Sequence, residues 1–255
     1  MKILITRPSS EGEKLVKYLS KFKILAYNFP LIDFFPLPDL NIFLKEINFF
    51  KKNDILCALS KKSVFYASKF LKEKKMVWPN NISYYAIGHS TAISLAYHAK
   101  KNVQFPLIQE NSENLFHLIS KEKINNKKII ILKAFSSLNI LEKKLKMKGA
   151  KVKVINCYKS ISKYKKKEKK FKNFKFDVII ITSTLILKEL YNFFLIENKK
   201  DWILNCIMLV ISNRIANKAR SFGWKKIIIT NSIQGKEIKK IISKIKNNFD
   251  RRKRI

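Results

Sequence analysis

The sequence reads as an α/β protein of two similar domains, each a parallel sheet flanked by helices, with one domain inserted into the other. Three observations carry that reading. Strand-like and helix-like segments alternate along the chain, a weak internal repeat recurs at near-constant offset, and two breaks in the pattern fall away from the midpoint. At 255 residues there is room for one large or two small domains.

The elements follow in order. Ile3–Thr6 is a short apolar run that suits a buried strand. Ser9–Phe22 has helical spacing: Leu15, Leu19 and Phe22 share a face, and Ser10-x-x-Glu13 offers a capping box. The apolar Phe29–Phe35 runs into Asp33–Pro38, where Pro36 and Pro38 break regular structure. Ile55–Leu59 then reads as a strand and Lys61–Lys72 as a helix, and Tyr84–Ile87 with Thr91–Ala99 repeats that unit. Ile129–Leu132 precedes a helix over Leu138–Met147, and a strand over Val152–Asn156 leads towards Tyr158. The lysine-dominated run from Ser162 to Lys175 is the second break. Beyond it come Val178–Ile181 with Leu185–Phe194, Ile207–Ile211 with Ile215–Phe222, and Ile227–Ile229 with a last helix from Gly235 to Asn248. Gly149 and Gly223 each follow a helix, where a left-handed residue closes the last turn.

The repeat sets the domain organisation. Asp54–Ser60 resembles Asp177–Ser183 at an offset of 123, Ile87–Ala92 aligns with Ile211–Ala216 at 124, and Lys2–Arg7 aligns with Lys128–Lys133 at 126. The two breaks bracket a middle block, so residues 38–158 are expected as a domain inserted into one made of 1–33 and 164–255. The crossings near 33–38 and 158–164 are apolar enough, over Phe29–Phe35 and Val154–Ile161, to pair as a two-stranded linker.

Composition excludes several classes. The hydrophobic share is 47% and the charged share 28%, a globular balance. No apolar run approaches the roughly 18 residues of a membrane span, and Met1–Arg7 runs into a strand rather than a secretory leader. Cys57, Cys157 and Cys206 lie far apart without histidine at ligand spacing, so they read as small core residues rather than metal ligands or a disulfide framework. With 5 glycines there is no Gly-rich phosphate loop. A cytoplasmic protein without metal or organic cofactor is expected. The net charge of +36 comes from 54 Lys and Arg against 18 Asp and Glu, and the arginines are confined to Arg7, Arg214, Arg220, Arg251, Arg252 and Arg254. So lysine-rich a balance is what an A/T-biased genome produces, and part of the charge reflects that.

Parallel sheets gather strand ends and helix starts along one edge, where ligands bind. The polar junctions there are Thr6–Ser10, Ser60–Ser63, Gly88–Thr91, Ser136–Ser137, Thr182–Thr184 and Ser212–Arg214. Each alone is an ordinary helix cap. Six on one cleft point to a large, multiply anionic ligand held by backbone N–H groups and helix dipoles. Of the histidines, His89 sits at a junction, while His98 and His117 read as surface residues. No nucleophile–histidine constellation or carboxylate pair can be read from spacing.

At these residues a family resemblance is visible. Leu4-Ile5-Thr6-Arg7-Pro8 with Glu11-Gly12 and Leu15, then Phe29-Pro30-Leu31-Ile32-Asp33-Phe34, resembles the opening of the uroporphyrinogen-III synthases of bacterial type. Ala58-Leu59-Ser60, Tyr85–Ala92, Cys157-Tyr158, Thr182-Ser183, Val210-Ile211-Ser212 and Gly223-Trp224 continue it in order to about Ile241. The resemblance implies two α/β domains joined by a two-stranded ladder, with hydroxymethylbilane bound between them and closed to uroporphyrinogen III. Water is lost and the last pyrrole ring is inverted, without a metal or organic cofactor. It implies substrate contacts at Arg7, Ser60, Ser63, Gly88, His89, Ser90, Thr91, Lys133, Thr182, Ser183, Ser212 and Asn213. Tyr158 is either an aid to hydroxide departure or a packing residue. The segment Lys133–Asn139 departs from the family's Arg- and Gly-rich turn, so its usual close backbone contacts are not expected here.

The reading from the sequence is therefore a monomeric enzyme on a polycarboxylate tetrapyrrole, open to transient contact with the preceding enzyme of its pathway. The alternatives are a basic nucleic-acid-binding protein and a non-catalytic, flavodoxin-like pair of ligand-binding domains. The lysines are spread along the whole chain and no nucleic-acid motif is readable, so neither a specific nucleic acid nor a membrane is expected as partner.

Overall fold

The computed structural model describes residues 1–163, 175–196, 200–230 and 232–252. Most of the lysine-rich break, 164–174, and the end of the basic tail, 253–255, lie outside them. In chain order the elements are β1 (Lys2–Ile5), α1 (Ser9–Ser20), β2 (Leu25–Asn28), β3 (Ile32–Pro36), α2 (Asp39–Ile47), β4 (Ile55–Ala58), α3 (Lys61–Glu73), β5 (Ser83–Ala86), α4 (His89–Ala99) and α5 (Ser112–Ile119). Then come β6 (Lys128–Ala134), α6 (Ile140–Met147), β7 (Lys151–Ser162), β8 (Val178–Ile181), α7 (Thr184–Ile196), α8 (Lys200–Leu204), β9 (Ile207–Val210), α9 (Asn213–Ser221), β10 (Ile227–Ile229) and α10 (Gly235–Arg252). The chain divides into two compact units, Met1–Asp33 with Ile161–Ile255, and Phe34–Ser160.

Each unit is built on a five-stranded sheet. The first has the order β10-β9-β8-β1-β2, with every pair parallel. The second has the order β3-β7-β6-β4-β5, and its β4–β5, β4–β6 and β6–β7 pairs are parallel. Central strands are apolar throughout because helices cover both faces: every residue of β4 and β8 is buried. The helices contribute one stripe each, such as Leu15 and Leu19 of α1, Val64, Ala67 and Leu71 of α3, and Ile215, Ala216 and Ala219 of α9.

The internal repeat holds residue by residue in the sheet registers. Ile3 pairs with Val178, and their counterparts at offsets 126 and 123, Ile129 and Ile55, pair with each other. Val178 faces Ile207 as Ile55 faces Ser83, and Lys2 faces Leu25 as Lys128 faces Lys151. Leu209 faces Ile228 in β10, and the corresponding Tyr85 makes a lone parallel bridge to Gln104. The two sheets are thus the same wiring entered at different points: the second unit runs through the counterparts of β8 and β9 before those of β1 and β2. In each, the strand order turns back between two central strands, β1 and β8 in one unit and β6 and β4 in the other.

Several local expectations need correction. The Ser10–Glu13 capping box does not form: Pro8 precedes α1, with no side-chain cap bond. The helix ends at Ser20, leaving Phe22 exposed rather than on the buried face with Leu15 and Leu19. Pro36 closes β3 and Pro38 leads into α2, since proline's fixed φ suits a helix start. The short elements β2, α2 and α5 carry too little periodicity to stand out. The strand expected over Val152–Asn156 and the linker strand expected over Val154–Ile161 are one strand, β7, with Tyr158 inside it. Gly149 and Gly223 do take positive φ, 80° and 103°. All three cysteines are buried and unpaired. No described helix is long and apolar enough to cross a membrane, and among the described residues no group of three His, Cys, Asp or Glu could hold a metal ion.

Candidate active site

Open α/β sheets bind ligands at the carboxyl ends of the strands where the order turns back. In the second unit that point lies past β4 and β6. Ser60 follows β4 in extended backbone and caps α3, its Oγ accepting from the Ser63 amide at 3.0 Å. Ser63 is fully buried and donates its own hydroxyl to the Ser60 carbonyl at 2.7 Å. The Ser60 hydroxyl also lies 3.2 Å from Ser63 Oγ and 3.3 Å from Tyr158 Oη.

Tyr158 reaches this place through a bulge. Lys133 pairs with Asn156 but Ala134 pairs with Tyr158, so Cys157 is an extra residue in β7. Alternation fails there, and Ile155, Cys157 and Tyr158 all turn to the same core. The Tyr158 ring stacks on Tyr66 (centroids 5.6 Å, 25°) and meets Phe34 edge-on (5.6 Å, 70°). Tyr66 donates to the Phe34 carbonyl at 2.8 Å, and the Lys62 ammonium sits 3.7 Å from the Phe34 ring centroid. Burial pushes the Tyr158 phenol above its ordinary pKa, and the Ser60 hydrogen bond opposes part of that rise. The phenol is therefore a protonated donor through the neutral range.

Lys133, at the end of β6, is 3% exposed. Its ammonium donates to the Ser137 carbonyl at 2.6 Å and to Asn139 Oδ1, and burial lowers its pKa. Lysine thereby holds the 134–139 turn from below, in a segment without glycine. At the start of α4, Gly88 is the cap residue and offers no side chain. The carboxylate of Glu110 takes that place, accepting from the His89 amide at 2.8 Å. His89 and Ser90 are exposed, and Thr91 is buried.

In the first unit the order turns back between β1 and β8. Thr6 is fully buried and ties the two strands, donating from Oγ1 to the Ile180 carbonyl at 2.8 Å. Arg7 pairs with Glu11 at 2.5 Å, an i,i+4 contact along the start of α1. Ser183 accepts from the Ile186 amide at 3.1 Å, and Ser212 accepts from the Ile215 amide at 3.4 Å, so each caps its helix. Thr182 is half-buried beside Ser183, and Asn213 is exposed as the first residue of α9. The repeat makes these sets equivalent: Ser60 with Ser183, Gly88 with Ser212, and Lys133 with Arg7. The structure thus gathers Ser60, Ser63 and Tyr158 around one hydroxyl cluster, whereas Lys133 lies beneath its turn.

A family model described as uroporphyrinogen-III synthase HemD matches residues 13–235, most of the chain. The chain belongs to the uroporphyrinogen-III synthase family. It is 30% identical to the uroporphyrinogen-III synthase of Escherichia coli (strain K12) over 235 residues, 91% of this chain and 96% of that one. The Salmonella typhimurium synthase is 31% identical over the same length, with the same coverage. Solved structures of synthases share the fold. A mutant uroporphyrinogen III synthase from the extremely thermophilic bacterium Thermus thermophilus has a TM-score of 0.68 at 12% identity, over 97% of this chain and all of that one. The Helicobacter pylori 26695 synthetase has a TM-score of 0.54 at 18% identity, over 92% of this chain and 95% of that one.

Within this synthase-family chain, three side chains at the strand-end edges were not legible from the sequence. Tyr66 and Phe34 flank Tyr158 from a helix and from the crossing strand, and nothing in their spacing marks them. Glu110 lies in a loop between α4 and α5, where an acid that reaches back to a glycine-started helix leaves no local signature. The absence of a Ser, Thr, Asn or Asp cap at position 88 is its one local signal in the sequence.

Proposed function

We propose that this chain closes hydroxymethylbilane to uroporphyrinogen III, with loss of water and inversion of ring D. Family membership supports the reaction, and the observation that carries its chemistry is the buried, protonated Tyr158 hydroxyl at the strand-end edge, held against Ser60 at 3.3 Å. The pyrrole nitrogen of the ring bearing the hydroxymethyl group pushes out its oxygen, and the Tyr158 proton joins that oxygen so that it leaves as water. The resulting electrophilic methylene is attacked by the substituted α-carbon of ring D. The spiro intermediate fragments and recloses through the unsubstituted α-carbon, whose proton returns to the Tyr158 oxygen. Both nucleophiles belong to the substrate, so the protein's main contribution is to hold a folded geometry.

The substrate bears carboxylates on every ring, and in each unit the helix starts offer backbone N–H groups and positive dipole ends to them. In this reading Ser60, Ser183, Ser212, Asn213, His89 and Ser90 line those starts, with Arg7 and Thr182 beside them. The buried Ser63, Thr91 and Lys133 act through their neighbours, and Gly88 leaves room for a carboxylate against the α4 backbone. The enzyme so described is monomeric, cytoplasmic and free of metal or organic cofactor, and is open to transient contact with the enzyme before it. The family match favours this reading over nucleic-acid binding.

Tyr158→Phe tests the acid role because it keeps the ring and its stacking and removes one oxygen. General-acid help is worth about 10²–10⁴ in rate. A folded Tyr158→Phe protein that binds substrate and loses at least about 10² in kcat is expected. Near-normal turnover to isomer III would make Tyr158 a packing residue.

A further inference from the structure

We propose that Ser60 is a positioning residue for Tyr158: its hydroxyl aims the phenol at rest and donates to the phenol oxygen once the phenol proton has moved to the departing oxygen. The inference rests on the acid role of Tyr158 and adds the group that supports it.

A count of protons carries the argument. Ser63 spends its one hydroxyl proton on the Ser60 carbonyl, at 2.7 Å. Ser60 Oγ accepts from the Ser63 amide at 3.0 Å, and its one proton has two acceptors within reach, Ser63 Oγ at 3.2 Å and Tyr158 Oη at 3.3 Å. At rest Tyr158 can donate to Ser60 while the Ser60 proton rests on Ser63; with substrate bound, the phenol O–H turns from Ser60 to the departing oxygen. When Tyr158 gives up its proton, the Ser60 proton can swing to the phenolate, and Ser63 keeps its other bonds. No buried group is left without a partner in either state, and the phenol proton is the only one transferred. Among the described residues, Ser60 is the one hydrogen-bond partner of the Tyr158 hydroxyl. The stacked Tyr66 and edge-on Phe34 hold the ring, which leaves the direction of its O–H to Ser60.

The other unit is an internal control. Among the described residues, Ser183, the counterpart of Ser60, caps its helix through the Ile186 amide alone, at 3.1 Å. The counterpart of Ser63 there is Ile186, and that of Tyr158, once the extra Cys157 is discounted, is Leu31. Capping therefore needs neither the second hydroxyl nor the phenol. The hydroxyl chain occurs where the phenol does.

A double-mutant cycle on the full chain, with hydroxymethylbilane as substrate, tests this. Ser60→Ala is expected to lower kcat about tenfold, the worth of a hydrogen bond to a charged oxygen, with a much smaller change in KM. In the Tyr158→Phe background the same substitution should lower kcat less than twofold, and Ser60→Thr should restore the parent rate. Ser60→Asp covers poor folding of the alanine variant, since it keeps the helix cap but has no proton to give. It should fold and lose kcat as Ser60→Ala does. Equal losses from Ser60→Ala in both backgrounds, or a Ser60→Asp protein with parental kcat, would overturn the proposal while leaving the acid role standing. A Tyr158→Phe protein with parental kcat would overturn the acid role and this inference together.

Discussion

At the scale of single residues, carboxylates and hydroxyls decide which helix starts are open. The helix after β9 is capped by its own Ser212, whereas the equivalent helix after β5 starts at Gly88 and takes the Glu110 carboxylate instead. A ligand carboxylate directed to the His89 amide therefore competes with one from the protein itself. Replacing Glu110 by Gln keeps an oxygen near the amide but removes the charge that the helix dipole favours, a contribution of about 0.3–1 kcal/mol. The substrate KM of Glu110→Gln should accordingly fall about two- to fivefold at unchanged kcat. A KM equal to or above the parent's would show that substrate carboxylates do not use this helix start. Lys133 shows residue identity adapting in another way. Where glycines would let a turn close on itself, a buried ammonium bonded to Ser137 and Asn139 holds it.

At the scale of elements, the strands and helices that carry the repeat were legible because their signals are local. Four-residue apolar runs such as Val178–Ile181 and spaced stripes such as Val64, Ala67 and Leu71 announce themselves. The repeat offsets even anticipate the registers, down to the single bridge at Gln104. The bulge at Cys157 was not legible, because an extra residue in a strand is defined by its partner, Lys133–Ala134, and not by its own sequence. The core strand expected to end at Asn156 and the linker strand expected over Val154–Ile161 are therefore found as one bulged strand. The helix-closing glycines were legible, and Gly149 gives a test. It sits at φ 80°, and an added Cβ would lie 2.3 Å from Asn125 Oδ1. Gly149→Ala should destabilise the second unit by roughly 1–2 kcal/mol in urea denaturation, and a loss below about 0.5 kcal/mol would mean that the turn relaxes freely.

At the scale of the whole molecule, buried acids link stability to pH. Burial raises the thiols of Cys57 and Cys157, and lifts Cys206 to about 12. Below about pH 8.5 both folded and unfolded chains keep these protons and the contribution is constant. Above it the unfolded chain releases protons that the folded chain retains, so stability falls as pH rises, by up to about 1.4 kcal/mol per pH unit for each thiol. Denaturation midpoints should therefore drop between pH 8 and 10, and Cys206→Ala should make that slope shallower. A slope unchanged in Cys206→Ala would show that its thiol does not contribute.

The two sheets share one wiring around the groups that the proposed chemistry uses. What that wiring is for is tested most directly by the isomer formed. Hydroxymethylbilane left alone cyclises to uroporphyrinogen I, so chromatographic typing of the oxidised product separates enzyme action from background. Adding this protein is expected to turn the product to isomer III, in an amount that rises with enzyme concentration. Isomer I alone, at the rate of the protein-free control, would contradict it.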